Sequence, residues 1–119
     1  MSQMLNERDI QEIVRRIVEV ADPERIILFG SYANGTATED SDVDLLVVTE
    51  ALVGPREETV RVRRALDPFR VGFDLILCST EDFEVRRQAK WHIVYEADKT
   101  GRLLYDRRGI QPTGAQRVA

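Results

Sequence analysis

The sequence has little of what redox and zinc sites are made of. Its 119 residues include one cysteine, Cys78, and one histidine, His92. A lone cysteine excludes an internal disulfide and predicts a reducing, cytoplasmic setting. A lone histidine excludes a histidine-based zinc centre and a His-relay pair, so His92 reads as a packing or surface residue. No apolar run approaches the roughly 20 residues of a membrane span. The opening stretch, MSQMLNERD, has no apolar core of the kind a secretory signal needs, so none is expected. A cationic excess is missing too: 17 Lys and Arg against 21 Asp and Glu give a net charge of −4, which disfavours non-specific nucleic-acid binding. Internal repeats and low-complexity tracts are absent. What remains is the composition of one soluble globular domain, long enough to bury about two-thirds of its unfolded surface.

The informative stretch is Gly30 to Val48, GSYANGTATEDSDVDLLVV. An apolar run, Ile26-Ile27-Leu28-Phe29, ends abruptly at Gly30-Ser31. Ten residues follow, small, polar or acidic except for Tyr32. Asp42 and Asp44 then open a second apolar run, Leu45-Leu46-Val47-Val48. The runs read as buried strands and the residues between them as an excursion. Side chains alternate along a strand, so Asp42 and Asp44 point one way and Val43 the other. Two adjacent carboxylates repel, and such a pair is usually stabilised by a divalent cation with oxygen ligands. Gly30 lets the backbone approach a ligand closely, and Ser31 adds a hydroxyl and an N–H. Together they predict a phosphate cradle facing a metal-binding carboxylate pair.

Around this stretch the pattern predicts an α/β (α+β) domain, a small mixed sheet flanked by helices. Residues 7–21 form an amphipathic helix with Asn6 as N-cap, its apolar stripe made by Ile10, Ile13, Val14, Ile17, Val18 and Ala21, and Asp22-Pro23 ends it. Strands follow at about Arg25 to Phe29 and Asp42 to Thr49. Pro55 starts a second helix that stops before Asp67-Pro68, with Thr59, Val62, Ala65 and Leu66 inward. Its arginines, Arg56, Arg61, Arg63 and Arg64, read as a solvated face in preference to a binding patch. A third strand, Val71 to Leu77, carries Asp74 inside an apolar run. That charge is expensive unless paired. Arg70 is the structural candidate for a partner; a metal shared with Asp42 and Asp44 is the functional one, and it is preferred here. A right-handed crossover between strands two and three would make them parallel and adjacent, with Asp74 beside the other two. Residues 80–97 read as one helix with Thr80 as N-cap and a stripe of Val85, Ala89, Ile93 and Ala97, Val94 alongside. Trp91, His92 and Tyr95 lie off that line. Arg86, Arg87 and Lys90 read as a further solvated face, facing a triphosphate or a partner in the alternative. Residues 101–106 form a short last strand. The domain thus spans residues 1–106, and the aperiodic residues 107–119 form a disordered tail.

A phosphate cradle and two or three carboxylates on adjacent strands suit two-metal phosphoryl chemistry. Asp42 and Asp44 would share two Mg²⁺ ions, while Asp74 would orient an acceptor hydroxyl and help remove its proton. Gly30-Ser31, ten residues, Asp42-Val43-Asp44 and a later strand carboxylate resemble the DNA polymerase β-like nucleotidyltransferase superfamily. The resemblance covers about residues 7–106, and the small size is similar to that of the minimal nucleotidyltransferases. It implies that Gly30 and Ser31 bind the triphosphate of ATP and that Asp42, Asp44 and Asp74 are catalytic and hold two Mg²⁺. Asn34 departs from the pattern, since many relatives carry a basic residue there, and no phosphate contact is carried over to it. The resemblance further implies an antitoxin that transfers AMP from ATP to a tyrosine of a HEPN-domain ribonuclease toxin.

Two other functions fit the same residues. One is a nucleotidyltransferase of the aminoglycoside-modifying sort. It needs an acceptor pocket that this chain is too short to build alone, unless a dimer supplies it. The other is a non-catalytic antitoxin that neutralises its partner by contact. Retention of all three carboxylates with Gly30 and Ser31 argues against it. A protein partner could supply the wall that larger relatives obtain from a second domain.

Overall fold

The structure is a computed structural model, and it describes residues 4–109. A long helix, α1 (Glu7–Ala21), leads into strand β1 (Arg25–Phe29). A single helical turn, α2 (Ser31–Asn34), interrupts the excursion to β2 (Val43–Thr49). Helix α3 (Pro55–Ala65) precedes β3 (Phe73–Ser79), and two short helices, α4 (Thr80–Arg86) and α5 (Ile93–Thr100), precede β4 (Arg102–Asp106). The sheet order is β3-β2-β1-β4. β1 runs antiparallel to both β2 and β4, while β2 and β3 are parallel. The sheet is therefore mixed, and the parallel neighbours sit where the sequence placed them.

Local chemistry accounts for most boundaries. Asn6 caps α1 by accepting from the Asp9 N–H at 2.9 Å, and the Asp9 carboxylate accepts from the Asn6 N–H in return. This reciprocal pairing satisfies two donors that a helix start leaves open. Asp22 ends α1 in the left-handed conformation at φ 46°, tolerable for a short polar side chain. Pro55 stands at the first turn of α3, where a missing N–H costs nothing.

Two apolar layers enclose the sheet. One face packs Ile13 and Ile17 of α1 and Val62 and Leu66 of the α3 segment against Ile26, Leu28, Val43, Leu45 and Val47. The other face packs Phe83, Val94 and Ala97 against Ile27, Phe29, Leu46, Val48 and Cys78. β1 and β2 are central and covered on both faces, which is why their sequences are continuous apolar runs.

Three expectations are corrected. Residues 80–97 are not one helix. Gln88, Ala89 and His92 donate to the carbonyls of Val85, Arg86 and Ala89, three residues back in each case, and the chain turns. His92 then caps a new helix, its Nδ1 accepting from the Val94 N–H at 3.0 Å. The break resets the helical phase, so Val85, Ala89 and Ile93 are exposed while Phe83, Val94 and Ala97 are buried. Ser79, not Thr80, caps α4, accepting from the Asp82 N–H. The Thr80 hydroxyl instead donates to Glu24 at 3.0 Å. Finally, β2 starts at Val43 and β3 at Phe73, one and two residues later than expected. Of the residues assigned to a tail, Arg107 donates its backbone N–H to the Glu24 carbonyl at 2.8 Å, and Arg108 pairs with Asp106 at 3.0 Å. Residues 110–119 lie outside the described residues.

Candidate active site

The candidate site lies where β1 ends and β2 and β3 begin. Pairing of β1 with β2 places Phe29 opposite Asp44, so Gly30 follows directly beside that carboxylate. Parallel pairing of β2 with β3 places Asp44 level with Asp74. Residues level with each other on neighbouring strands point to the same face. The structure thus brings Asp44 and Asp74 together, as the sequence predicted, and Asp42 stands one residue before β2.

Two glycines make room for the carboxylates. Gly30 adopts φ 75°, a conformation that disfavours any side chain. A Cβ there would also collide with Asp44 Oδ2, with Asp44 Cγ only 3.1 Å away. At the start of β3, a Cβ on Gly72 would collide with Asp42 Oδ1, with Asp42 Cγ at 3.1 Å. Gly72 also accepts from the Val43 N–H through its carbonyl at 2.9 Å, which joins the two strand starts. Sequence reading absorbed Gly72 into the third strand and missed this role. Its signal was a glycine two residues before Asp74, where backbone approach would matter.

Between Gly30 and Asp42 the chain is fixed by short-range bonds. The Gly30 carbonyl accepts from Ala33 and Asn34, forming α2 at 3.0 and 3.1 Å. Ser31 is the first residue of that turn, and its hydroxyl bonds to no described residue. The Asn34 side chain is occupied by the Thr36 hydroxyl at 2.7 Å. Thr38 and Ser41 close a second turn, with Thr38 N–H donating to Ser41 Oγ at 2.8 Å and Ser41 N–H to the Thr38 carbonyl at 3.1 Å. That turn delivers Asp42.

The electrostatics are those of crowded carboxylates. The Asp44 carboxyl is held above the usual carboxylate range, first by its burial, then by the charges of Asp74 and Asp42 and by hydrogen bonding with Asp74. Neither these three carboxylates nor Arg70, the structural candidate for Asp74, takes part in any ion pair among the described residues. Arg63, by contrast, donates through Nη1 to the carbonyl of Phe73 at 3.2 Å, covering the backbone beside Asp74. Arg63 is exposed with Arg56, Arg61 and Arg64, as a solvated face predicts, and nothing in the helical pattern marked its bond to Phe73.

The donor set fits a hard divalent cation: three carboxylates, no sulfur or nitrogen, and a crowding of negative charge that a cation relieves. No three His, Cys, Asp or Glu side chains among the described residues are gathered closely enough to cage an ion. Asp74 is exposed and lies on an edge strand, open to a large acceptor. No helix among the described residues is long and apolar enough to cross a membrane.

Comparison with known proteins gives the same direction. A stretch of 52 residues, 44% of this chain, is 59% identical to a putative protein adenylyltransferase of Methanocaldococcus jannaschii. The match covers 29% of that relative, so the chain spans well under half of its length. A putative nucleotidyltransferase from Sulfolobus solfataricus superposes with a TM-score of 0.57 at 23% identity, over 84% of this chain and 79% of that one. A chain from a crystal structure of a toxin-antitoxin with AMP-PNP superposes with a TM-score of 0.61 at 18% identity, over 81% of this chain and 73% of that one. At such identities these two similarities speak for the fold. The family model of the nucleotidyltransferase domain matches residues 7–106, nearly all that the structure describes, and the chain therefore belongs to the nucleotidyltransferase domain family.

Proposed function

We propose that this nucleotidyltransferase transfers AMP from ATP to a tyrosine hydroxyl of a partner protein, a HEPN-type ribonuclease toxin, and so acts as its antitoxin. One observation carries the chemistry: Asp44 stands level with Asp74 and beside Gly30, with no cationic side chain among the described residues to balance them. The partner is inferred from similarity. A relative is named a protein adenylyltransferase, and a structural neighbour comes from a toxin-antitoxin structure with AMP-PNP.

In this reading Asp42, Asp44 and Asp74 would hold two Mg²⁺ ions. When bound, Mg²⁺ neutralises the phosphates and favours in-line displacement at the α-phosphorus. Gly30 admits the triphosphate to the backbone because it carries no Cβ, and the Ser31 hydroxyl donates to a phosphate oxygen. Asp74 orients the acceptor hydroxyl and takes its proton. The acceptor oxygen bonds to the α-phosphorus, the bond from that phosphorus to the bridging α–β oxygen breaks, and pyrophosphate leaves. An exposed Asp74 on an edge strand suits an acceptor presented by another protein.

The test is transfer of label from α-³²P-ATP with Mg²⁺ to the HEPN-type protein encoded beside this chain, with an Asp42→Ala/Asp44→Ala double variant in parallel. Label on the partner, lost when its acceptor tyrosine is replaced by phenylalanine and absent with the double variant, is the expected result. Label on small molecules alone, or partner neutralisation by the double variant at full strength, overturns it.

A further inference from the structure

The bend between α4 and α5 carries a surface that the site's chemistry does not use. Trp91 is 98% exposed, Val85 66% and Ile93 43%. Half of the exposed large apolar side chains among the described residues thus fall within nine residues of sequence. Three hydrogen bonds spanning three residues fold this stretch on itself, at 3.2 Å from Gln88 to Val85, 3.0 Å from Ala89 to Arg86 and 2.9 Å from His92 to Ala89. The three side chains therefore leave one compact segment. A fully exposed tryptophan loses more in water than any other side chain left there, and clustered exposed apolar groups mark interaction surfaces.

Within the bend itself the charge has one sign, with exposed Glu84 and Glu96 on either side of it. From Val85 to Ile93 there are Arg86, Arg87 and Lys90 and no acidic residue. Arg87 is used internally, bonded to Glu84 at 3.1 Å and Asp98 at 3.2 Å and stacked over Phe83. Arg86 and Lys90 are exposed and form no ion pair with any described residue. On a chain of net charge −4, two unpaired cations thus share one short segment with the exposed apolar side chains. Its complement is an apolar pocket rimmed by carboxylates.

Its position suits the site. Asp44 shares a sheet face with Leu46 and Val48, and Asp74 shares it with Ile76 and Cys78, by alternation along each strand. This is the face on which α4 and α5 pack. Gly101, just after α5, packs so closely on β1 that a Cβ there would come within 2.7 Å of Ile27 Cγ2 and 2.8 Å of the Leu28 carbonyl, near the end of β1 that leads into Gly30. Trp91 lies just before the other end of α5, whose eight residues span roughly 12 Å by helical rise. An interface of about 800 Å² per partner is wide enough to cover both. The groove of about 410 Å³ beside Arg56, Val60, Arg61 and Arg64 is on α3, which packs on the opposite face.

We propose that Trp91, with Val85 and Ile93 and the free cations of Arg86 and Lys90, is the docking site for the acceptor protein, which meets it with an acid-rimmed apolar pocket. The identity of the partner rests on the adenylylation reading; the existence of the surface does not. A lipid bilayer fits less well, because α4 and α5 spend their apolar faces, Phe83, Val94 and Ala97, on the sheet. Among the described residues no amphipathic helix remains to lie in a membrane surface.

Trp91 is the sole tryptophan, so the chain labelled with 5-fluorotryptophan has one ¹⁹F resonance, from the docking centre itself. Titration with the unlabelled HEPN-type partner should move that line to saturation. Trp91→Ala should weaken partner binding by roughly 30-fold or more, as for a tryptophan hot spot, while leaving Mg²⁺-ATP binding unchanged. Arg86→Glu/Lys90→Glu should weaken it further as salt falls. In the transfer reaction Trp91→Ala should raise KM for the partner and leave kcat unchanged. An unmoved ¹⁹F line with wild-type affinity in Trp91→Ala overturns the proposal. So does a line that moves with phosphatidylserine vesicles, or with the chain's own concentration, and not with the partner. If the line moves but no AMP is transferred, docking stands and the adenylylation reading falls. Transfer with an unchanged KM in Trp91→Ala has the reverse meaning.

Discussion

The two ends of one sheet treat carboxylates in opposite ways. At one end, Asp106 is buried and surrounded by cations: Arg108 at 3.0 Å and Arg25 at 3.8 Å. Nearby, Arg107 reaches Asp22 at 3.5 Å and Glu50 at 3.6 Å. Hydrogen bonding from the Arg108 side chain, first of all, holds the Asp106 carboxyl below the ordinary aspartate range, with the Arg108 backbone N–H and the Arg25 charge assisting. At the other end, Asp44 is partly buried beside Asp74 and Asp42 and its carboxyl is pushed up. The same residue type on the same scaffold is satisfied in one place and left wanting in the other. Structural carboxylates come with their cations in the chain; a carboxylate cluster without them calls for a charge from outside.

The largest break in this comparison comes from the unsatisfied end. Asp44→Asn should lower AMP transfer by at least about 10²-fold, since it removes a shared ligand for the charge that the reaction needs. The same substitution should raise the metal-free thermal midpoint, because it removes a like-charge repulsion that folding enforces. For a domain of this size each 1 kcal/mol is worth about 4 °C. Added Mg²⁺ should raise the midpoint of the wild type and leave that of Asp44→Asn nearly unmoved. A variant that loses both activity and stability would refute the claim that the cluster is strained. Gly30→Ala tests the neighbouring wall. Its positive φ and the collision with Asp44 should together cost about 1–3 kcal/mol in denaturant unfolding and cut transfer, whereas Gly35→Ala, with φ 82° but nothing within 4 Å of its Cβ, should lose only the conformational part.

How much of this was legible beforehand differs between the same two ends. The site end announced itself through residue type: a glycine at the close of an apolar run, a serine, and carboxylates where a buried strand begins. Apolar runs too short for helices located β1 and β2 and exposed their burial on both faces. The capped α1 was equally readable, because its stripe and its Asn6–Asp9 pair are local. The Asp106 end was not legible. The partners of Asp106, Arg25 and Arg108, lie in surface-like sequence, and only the pairing of Arg25 with Asp106 across β1 and β4 assembles them. The break at His92 was missed because an apolar recurrence every four residues carries no mark of a phase reset; the evidence for a new helix lay in one side chain bonding its own backbone. The role of Gly72 needed tertiary structure, since Asp42 is thirty residues away.

At the satisfied end the expected effects are smaller and of the opposite kind. Asp106→Ala removes the acceptor of three hydrogen bonds from Arg108 and leaves Arg25, mostly buried, with its remaining contact over Phe83 at 5.2 Å. Hydrogen bonds to charged groups contribute about 1.5–3 kcal/mol. Arg108 is two-thirds exposed and can return to water, which keeps the expected loss at about 1–2 kcal/mol by urea unfolding. AMP transfer per folded molecule should stay at the wild-type value. A loss of activity at full stability would mean that the two ends are coupled, and the comparison would fail.

The smallest and most discriminating effect is in the pH dependence of stability. Asp106 ionises more readily in the folded chain than in the unfolded one. Between its two pKa values the unfolded chain holds the extra proton, so its contribution is complete above the unfolded value and disappears as pH falls through the folded one. Asp44 has the reverse sign. Its raised folded pKa means that the folded chain keeps the proton longer, so stability falls as pH climbs from the ordinary aspartate range through the raised value. Urea unfolding from about pH 3 to pH 7 separates the two. Asp106→Asn should flatten the acid limb and lower the plateau, and Asp44→Asn should remove the decline above that limb and lift the plateau. Mg²⁺ should reproduce the second change in the wild type without touching the first, because the cation occupies only the end of the sheet whose carboxylates have no arginines of their own.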